Sequence, residues 1–190
     1  MKERPILMNA EMVNATLDDR KTQTRRVMKP QPGYVNKRAD GYAVSFNKYL
    51  MSYPELLIKC PYGKIGDRLW VRENFHYEPA TGAEYGEAPQ PDEIHYAATF
   101  PYRGMEPKWT PSIHMPRWAS RIDLEITDIR VEHIQDISDT DCFSEGIKTR
   151  RGCDPRNTFE ELWDSINKKR GHGWDINDWV WAISFKRIQP

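Results

Sequence analysis

The densest set of chemistry-bearing side chains is Arg20-Lys-Thr-Gln-Thr-Arg-Arg26, with four cations and two hydroxyls in seven residues. Such an array of donors suits phosphate or carbonyl oxygens. Arg20, Arg25 and Arg26 are therefore candidate nucleic-acid contacts, with Lys21 among them; a solvated basic edge strand would look the same. Thr22 and Thr24 equally suit a plain strand. A second candidate is Trp109-Thr-Pro-Ser-Ile-His-Met-Pro-Arg-Trp118, which has no helical period. Trp109, His114 and Arg117 there supply the ring and cation types that base stacking and phosphate contact require. The plainer alternative is a lid over the fold, with Trp118 in the core. Arg72 and Glu73 end a third segment of interest. Adjacent residues on a strand point to opposite faces, so Arg72 joins the anion-contact set while Glu73 is read as holding a neighbouring cation in place.

Other chemistries have no signal. There is no GxGxxG, Walker A, HExxH or zinc-finger spacing. His76, His95, His114, His133 and His172 are widely separated, so neither a metal site nor a cofactor is expected. Cys60, Cys142 and Cys153 cannot all pair within the chain, which suggests a reducing compartment. No apolar run approaches a membrane span and no leader pattern is apparent, so a cytoplasmic protein is expected.

The formal net charge is +0, yet the charges are segregated. Residues 1–30 hold seven basic and four acidic side chains, and residues 101–121 four and one. Residues 122–147 hold one basic and eight acidic. Folding could bring the two basic stretches onto one anion-facing surface, or leave them on separate solvated faces.

The elements that must position these residues are short. Asn9 caps a predicted helix to about Asp18, and residues 19–28 turn into a strand that Pro30 and Pro32 end. Residues 57–60 and Arg68–Glu73 read as strands, the second with a clean period of two. Around 31–56 and 78–108 the pattern is poor and loop insertions are expected. In residues 121–134 the apolar set is Ile122, Leu124 and Ile126, then Ile129 and Val131, which fits two strands or one bent strand. Ser138-Asp-Thr-Asp141 predicts a short helix stopped by Gly146, and Thr158-Phe-Glu-Glu161 a longer helix to about Lys169. Residues 178–188 form the last strand. Strands outnumber helices and are too short and irregularly spaced for a doubly wound sheet, which favours one mixed α+β domain over residues 1–190, a small barrel with helices packed on it.

These segments resemble the ASCH family in its bacteriophage and prophage form. The resemblance rests on Asp19-Arg-Lys-Thr-Gln-Thr-Arg-Arg26, Cys60-Pro-Tyr-Gly63 and Gly66-Asp-Arg-Leu-Trp-Val-Arg-Glu73, followed by Pro111-Ser-Ile-His-Met-Pro-Arg-Trp118 and Trp179-Val-Trp-Ala-Ile-Ser-Phe185. It implies a PUA-like small β-barrel with flanking short helices, a cleft beside the Lys-Thr segment, and RNA or a modified nucleoside as partner. One bacterial branch is similar to N4-acetylcytidine amidohydrolases, whose pattern of Lys, Thr and Glu matches Lys21, Thr24 and Glu145 here. In that reading Thr24 supplies a nucleophile, Lys21 takes its proton, and Glu145 moves a proton to the leaving group or orients the base. Lys21 and Thr24 would lie on opposite faces of a regular strand, so Lys21 must sit in the bend before it. Asp19 departs from the glycine usual in those enzymes.

Three functions follow as expectations: an RNA- or modified-nucleoside-binding protein, an amidohydrolase on such a nucleoside, or a phage structural or host-interaction protein without activity. Convergence of Lys21, Thr24 and Glu145 in a pocket, with Lys21 buried against Glu145, would favour chemistry. Charges spread over an open groove would favour binding.

Overall fold

The computed structural model describes residues 1–38, 41–45, 56–77, 94–101, 104, 107–149 and 152–188. In chain order the main elements are β1 (Glu3–Leu7), α1 (Ala10–Leu17), β2 (Gln23–Val27), β3 (Tyr34–Arg38), β4 (Gly41–Ser45), β5 (Leu56–Ile58), β6 (Arg68–Arg72), β7 (Phe75–Tyr77), β8 (Ile94–Tyr96), β9 (Asp123–His133), α2 (Asp139–Ser144), α3 (Pro155–Asn167) and β10 (Trp179–Ile188). Most of the expected insertion at 78–108 lies outside the described residues. The other, around 31–56, contains β3 and β4, which pair antiparallel. Among the described residues no helix is long and apolar enough to cross a membrane.

Five strands form the main sheet in the order β1-β6-β9-β10-β2. β1 and β6 are parallel, and the remaining neighbours are antiparallel. The long pair β9–β10 is the spine, and its register explains the apolar pattern that changes phase after Ile126. Ser184 pairs with Asp128 but Phe185 pairs with Ile126, leaving Thr127 as an extra, exposed residue. A bulge of this kind moves the following residues by one step in the pleat. Leu124 and Ile126 before it, and Ile129 and Val131 after it, therefore join one hydrophobic cluster. One bent strand is the correct reading.

That cluster also holds Ile6, Val13, Leu69, Val71, Ile183 and Phe185, so α1 packs on the sheet through Val13. β4 reaches the same cluster through Val44 and Tyr42, whose hydroxyl donates to the Ile129 carbonyl at 3.0 Å. A second cluster joins Val180 to Ile134, Ile137, Cys142, Phe159 and Trp163. It uses the other face of β10, so that strand is covered on both sides near its start. Asn9 and Ser138 cap α1 and α2 as the sequence predicts. The third cap is different: Asp154, followed by Pro155, starts α3 before Thr158, because proline suits the first helical position. Thr158 lies inside the helix.

The expected small β-barrel is not formed. β1 and β2 are the two edges of the sheet and do not pair with each other. The physical reason lies at the start of β2. Lys21 forms a bridge with Glu145, and the Thr22 amide donates to the Ser144 carbonyl at 2.8 Å, so the end of α2 takes the place beside the residues leading into β2. A side chain crosses the remaining seam: Arg26 Nη2 donates to the Leu7 carbonyl at 2.6 Å. The fold is an open mixed sheet with helices, which also corrects the ASCH assignment, since that family's barrel is a closed sheet.

Deletion of Thr127 should leave cooperative urea unfolding, followed by circular dichroism, intact. With the extra residue gone, Leu124, Ile126, Ile129 and Val131 fall at every second position of a regular strand and stay on the core face.

Candidate functional site

Lys21 reaches its place because the chain turns sharply after α1. Asp19 has φ 56, and the amides of Arg20 and Lys21 both donate to the Ala15 carbonyl at 2.9 Å. Lys21 thus sits in the bend before β2, as the sequence argument required, with its side chain fully buried. Its Nζ donates to Glu145 Oε2 at 2.6 Å and to the Glu145 carbonyl at 2.9 Å. Gly146 permits this approach. Its φ is +90°, and a Cβ there would stand 2.8 Å from Ala15 Cβ and 3.2 Å from Lys21 Cβ.

Arg25 is the second buried cation. Its Nη1 donates to Glu145 Oε1 at 3.2 Å and to Gln23 Oε1 at 2.7 Å. Its Nε donates to Glu132 Oε1 at 2.8 Å, and its Nη2 to Asp141 Oδ2 at 3.0 Å. Arg130 closes the network on Asp141 at 3.1 Å. Burial drives the Lys21 pKa below its ordinary 10.5, with Glu145 opposing and Arg26 and Arg25 adding to the depression. At Asp141 burial acts upward, but the charges of Arg25 and Arg130 outweigh it and hold the carboxyl below 3.8.

A cleft of about 1060 Å³ opens beside this network, along the unpaired edges of β1 and β2. Thr24, Arg25, Arg26, Arg72, Glu73 and Glu145 all line it, bringing together six residues singled out in the sequence. Thr24 sits opposite Ile183 in the β2–β10 register, and Arg26 opposite Trp181. Among the described residues the Thr24 hydroxyl has no hydrogen bond to Lys21 or Glu145. Arg72 places its guanidinium over the Trp70 ring at 4.7 Å and donates from Nη1 to the Ile113 carbonyl at 3.1 Å. Its Nε is buried without a partner. Glu73 receives Nε and Nη2 of Arg121 at 2.9 and 3.0 Å, and Arg121 in turn covers the Tyr96 ring at 3.9 Å.

The other candidates stand apart from the cleft. Arg20 is held by Asp18 and the Gly146 carbonyl. Arg117 is held by Glu3 and Asp123. Trp109 meets Phe100 edge-on at 5.3 Å. His114 is exposed on a 3-10 turn. Trp118 is 51% exposed against Tyr77 and so is not a core residue. Lys108, Arg117 and Arg121, the described cations of residues 101–121, are not among the residues that line this cleft.

Several lining residues had escaped the sequence reading: Lys29, Lys59, Tyr62, Arg170 and His172. The Lys168-Lys-Arg170 run at the end of α3 was a usable signal, because a basic last turn commonly marks a helix end. Among the described residues Arg26, Lys29, Lys59, Arg72 and Arg170 make no ion pair. Burial lowers the Arg26 pKa from its ordinary range, Tyr62 and Glu145 oppose this, and the charge of Arg170 adds to it. Arg26 and Arg170 are thus close enough to repel. The described residues contain no cluster of metal-ligating side chains.

No family model, curated protein or solved structure matches this chain.

Glu145→Ala should cost about 3–5 kcal/mol in urea unfolding, because it strands two buried cations. Lys21→Met should cost clearly less, since Glu145 keeps Arg25. The Asp141 carboxyl, held below 3.8, stabilises the fold above that pH and loses its contribution as pH falls through its folded value. Asp141→Asn should therefore flatten the acid limb of a stability–pH curve below pH 3.8.

Proposed function

We propose that the cleft binds nucleic acid as single-stranded RNA or a phosphate-bearing nucleoside. One observation carries this reading: cations without carboxylate partners border a cleft whose walls include aromatic rings. Arg26 and Arg170 supply charge for phosphate oxygens, and Lys29 and Lys59 add exposed ammonium groups. The half-buried Tyr62 supplies ring surface on the same wall, behind which Trp163 and Trp181 belong to the core at 4% exposure. Repulsion between Arg26 and Arg170 is relieved by an anion placed between them.

Hydrolysis is not part of the proposal. The buried Lys21–Glu145 contact meets one requirement for it, but both Glu145 oxygens already carry cations. Lys21 is held as the donor of an ion pair, and Thr24 lacks a hydrogen bond to either residue among those described. A nucleophile without a base beside it has no means of activation.

Fluorescence anisotropy with a labelled short single-stranded RNA checks the reading. Binding should weaken with salt, and Arg170→Ala should lower affinity and reduce the salt slope by about one. Absence of salt-sensitive binding, or an Arg170→Ala protein indistinguishable from wild type, would refute it. Acetate release from N4-acetylcytidine is expected to be nil. Release that Thr24→Ala removes without unfolding the protein would replace binding by hydrolysis.

A further inference from the structure

One stretch of the cleft wall comes from the end of α3 and the residues after it, including Asn167, Arg170 and His172. His172 is fixed through its backbone: its amide donates to the Asn167 carbonyl at 3.2 Å, and its carbonyl accepts from Trp163 Nε1 at 2.8 Å. Its ring is fixed as well, since Nδ1 lies 2.6 Å from Asp178 Oδ2. The Asp178 side chain is 9% exposed and that of His172 21%.

A carboxylate can only accept, so Nδ1 carries the proton of this bond. In the neutral ring Nε2 is then a lone-pair acceptor. Among the described residues Nε2 has no partner.

The two carboxylates of this cleft are already committed, Glu73 to Arg121 through both oxygens, and Glu145 to Lys21 and Arg25. Thr24, Ser112 and Asn167 line it with neutral hydroxyl and amide oxygens. The His172 ring differs in being an acceptor held in place by a buried carboxylate. The surrounding cations can meet phosphate oxygens but cannot accept a proton. A neutral acceptor among them is matched by a ligand hydroxyl. Along a nucleic-acid backbone, the 2′-hydroxyl is the donor that RNA has and DNA lacks.

Resting on the nucleic-acid reading above, we infer that His172, oriented by Asp178, accepts a hydrogen bond from a ribose 2′-hydroxyl and so selects RNA over DNA. His172 is the specificity residue and Asp178 the positioning residue. Phosphate contacts through Arg26 and Arg170 serve both polymers equally, so the preference is separable from affinity as such.

The test is anisotropy using RNA and DNA versions of one short single-stranded sequence. Wild type should favour RNA about tenfold, the scale of one hydrogen bond in a partly dry site. His172→Phe should bind both polymers with the wild-type affinity for DNA, bringing the ratio to one. His172→Gln keeps an acceptor oxygen and should restore part of the preference. Asp178→Ala frees the ring to take either tautomer and should lower the ratio without changing the salt slope. Equal wild-type affinities for RNA and DNA, or a preference that survives His172→Phe, would overturn the inference and leave the binding reading intact. Failure to bind either polymer would overturn that reading and the inference with it.

Discussion

Glu145 carries two cations on one carboxylate, and much of the molecule is arranged to make that possible. Lys21 occupies one oxygen and Arg25 the other, with the side chains of both cations fully buried. Two charges cannot be taken out of water unless partners meet nearly all their donors. The partners come from four places: Gln23 on β2, Glu132 on β9, Asp141 in α2, and Glu145 just after it. This network fixes α2 against the start of β2, and Gly146 is the residue that lets the two backbones approach so closely. It also determines the topology. With residues 144 and 145 beside the start of β2, the sheet stays open along its β1–β2 seam. The cleft lies there.

A single cause therefore links the fold and the site. The open seam leaves edge strands whose backbone groups need covering, and Arg26 covers part of the gap by donating to the Leu7 carbonyl. In doing so it holds a cation at the cleft without neutralising it. Arg72, paired in register with Leu7, stands on the other side of the same residue. The seam is thus bordered by guanidinium groups, each tied to a backbone carbonyl and neither to a carboxylate.

Local signals in the sequence were legible where short-range physics governs. The caps at Asn9 and Ser138 satisfy amides within one helical turn. The phase change between Ile126 and Ile129 was visible as a break in the apolar alternation, and the Thr127 bulge accounts for it. Closure of a barrel is another kind of property. It depends on whether β1 meets β2, strands that α1 separates in sequence, and the end of α2 more than a hundred residues later decides the matter. Nothing in the periodicity of either strand encodes that competition, and the resemblance to barrel proteins failed at this point.

The same contrast explains which site residues were missed. Arg20–Arg26 attracts notice because four cations crowd into seven residues, yet burial divides them into different roles. Arg25 is a core cation, Arg20 a surface pair, and Arg26 the one left facing the cleft without a carboxylate. His172 attracts no notice as one of five scattered histidines. It acquires meaning only when the left-handed Asn177 and its neighbouring turn bring Asp178 against its Nδ1. Charge density along a chain therefore points toward the neighbourhood of a site but does not name its members. Members are decided by which groups the core has already consumed. In this cleft the core consumes the carboxylates and leaves cations, a few neutral oxygens such as those of Thr24 and Ser112, and an oriented imidazole nitrogen, a set suited to phosphate oxygens together with a sugar hydroxyl.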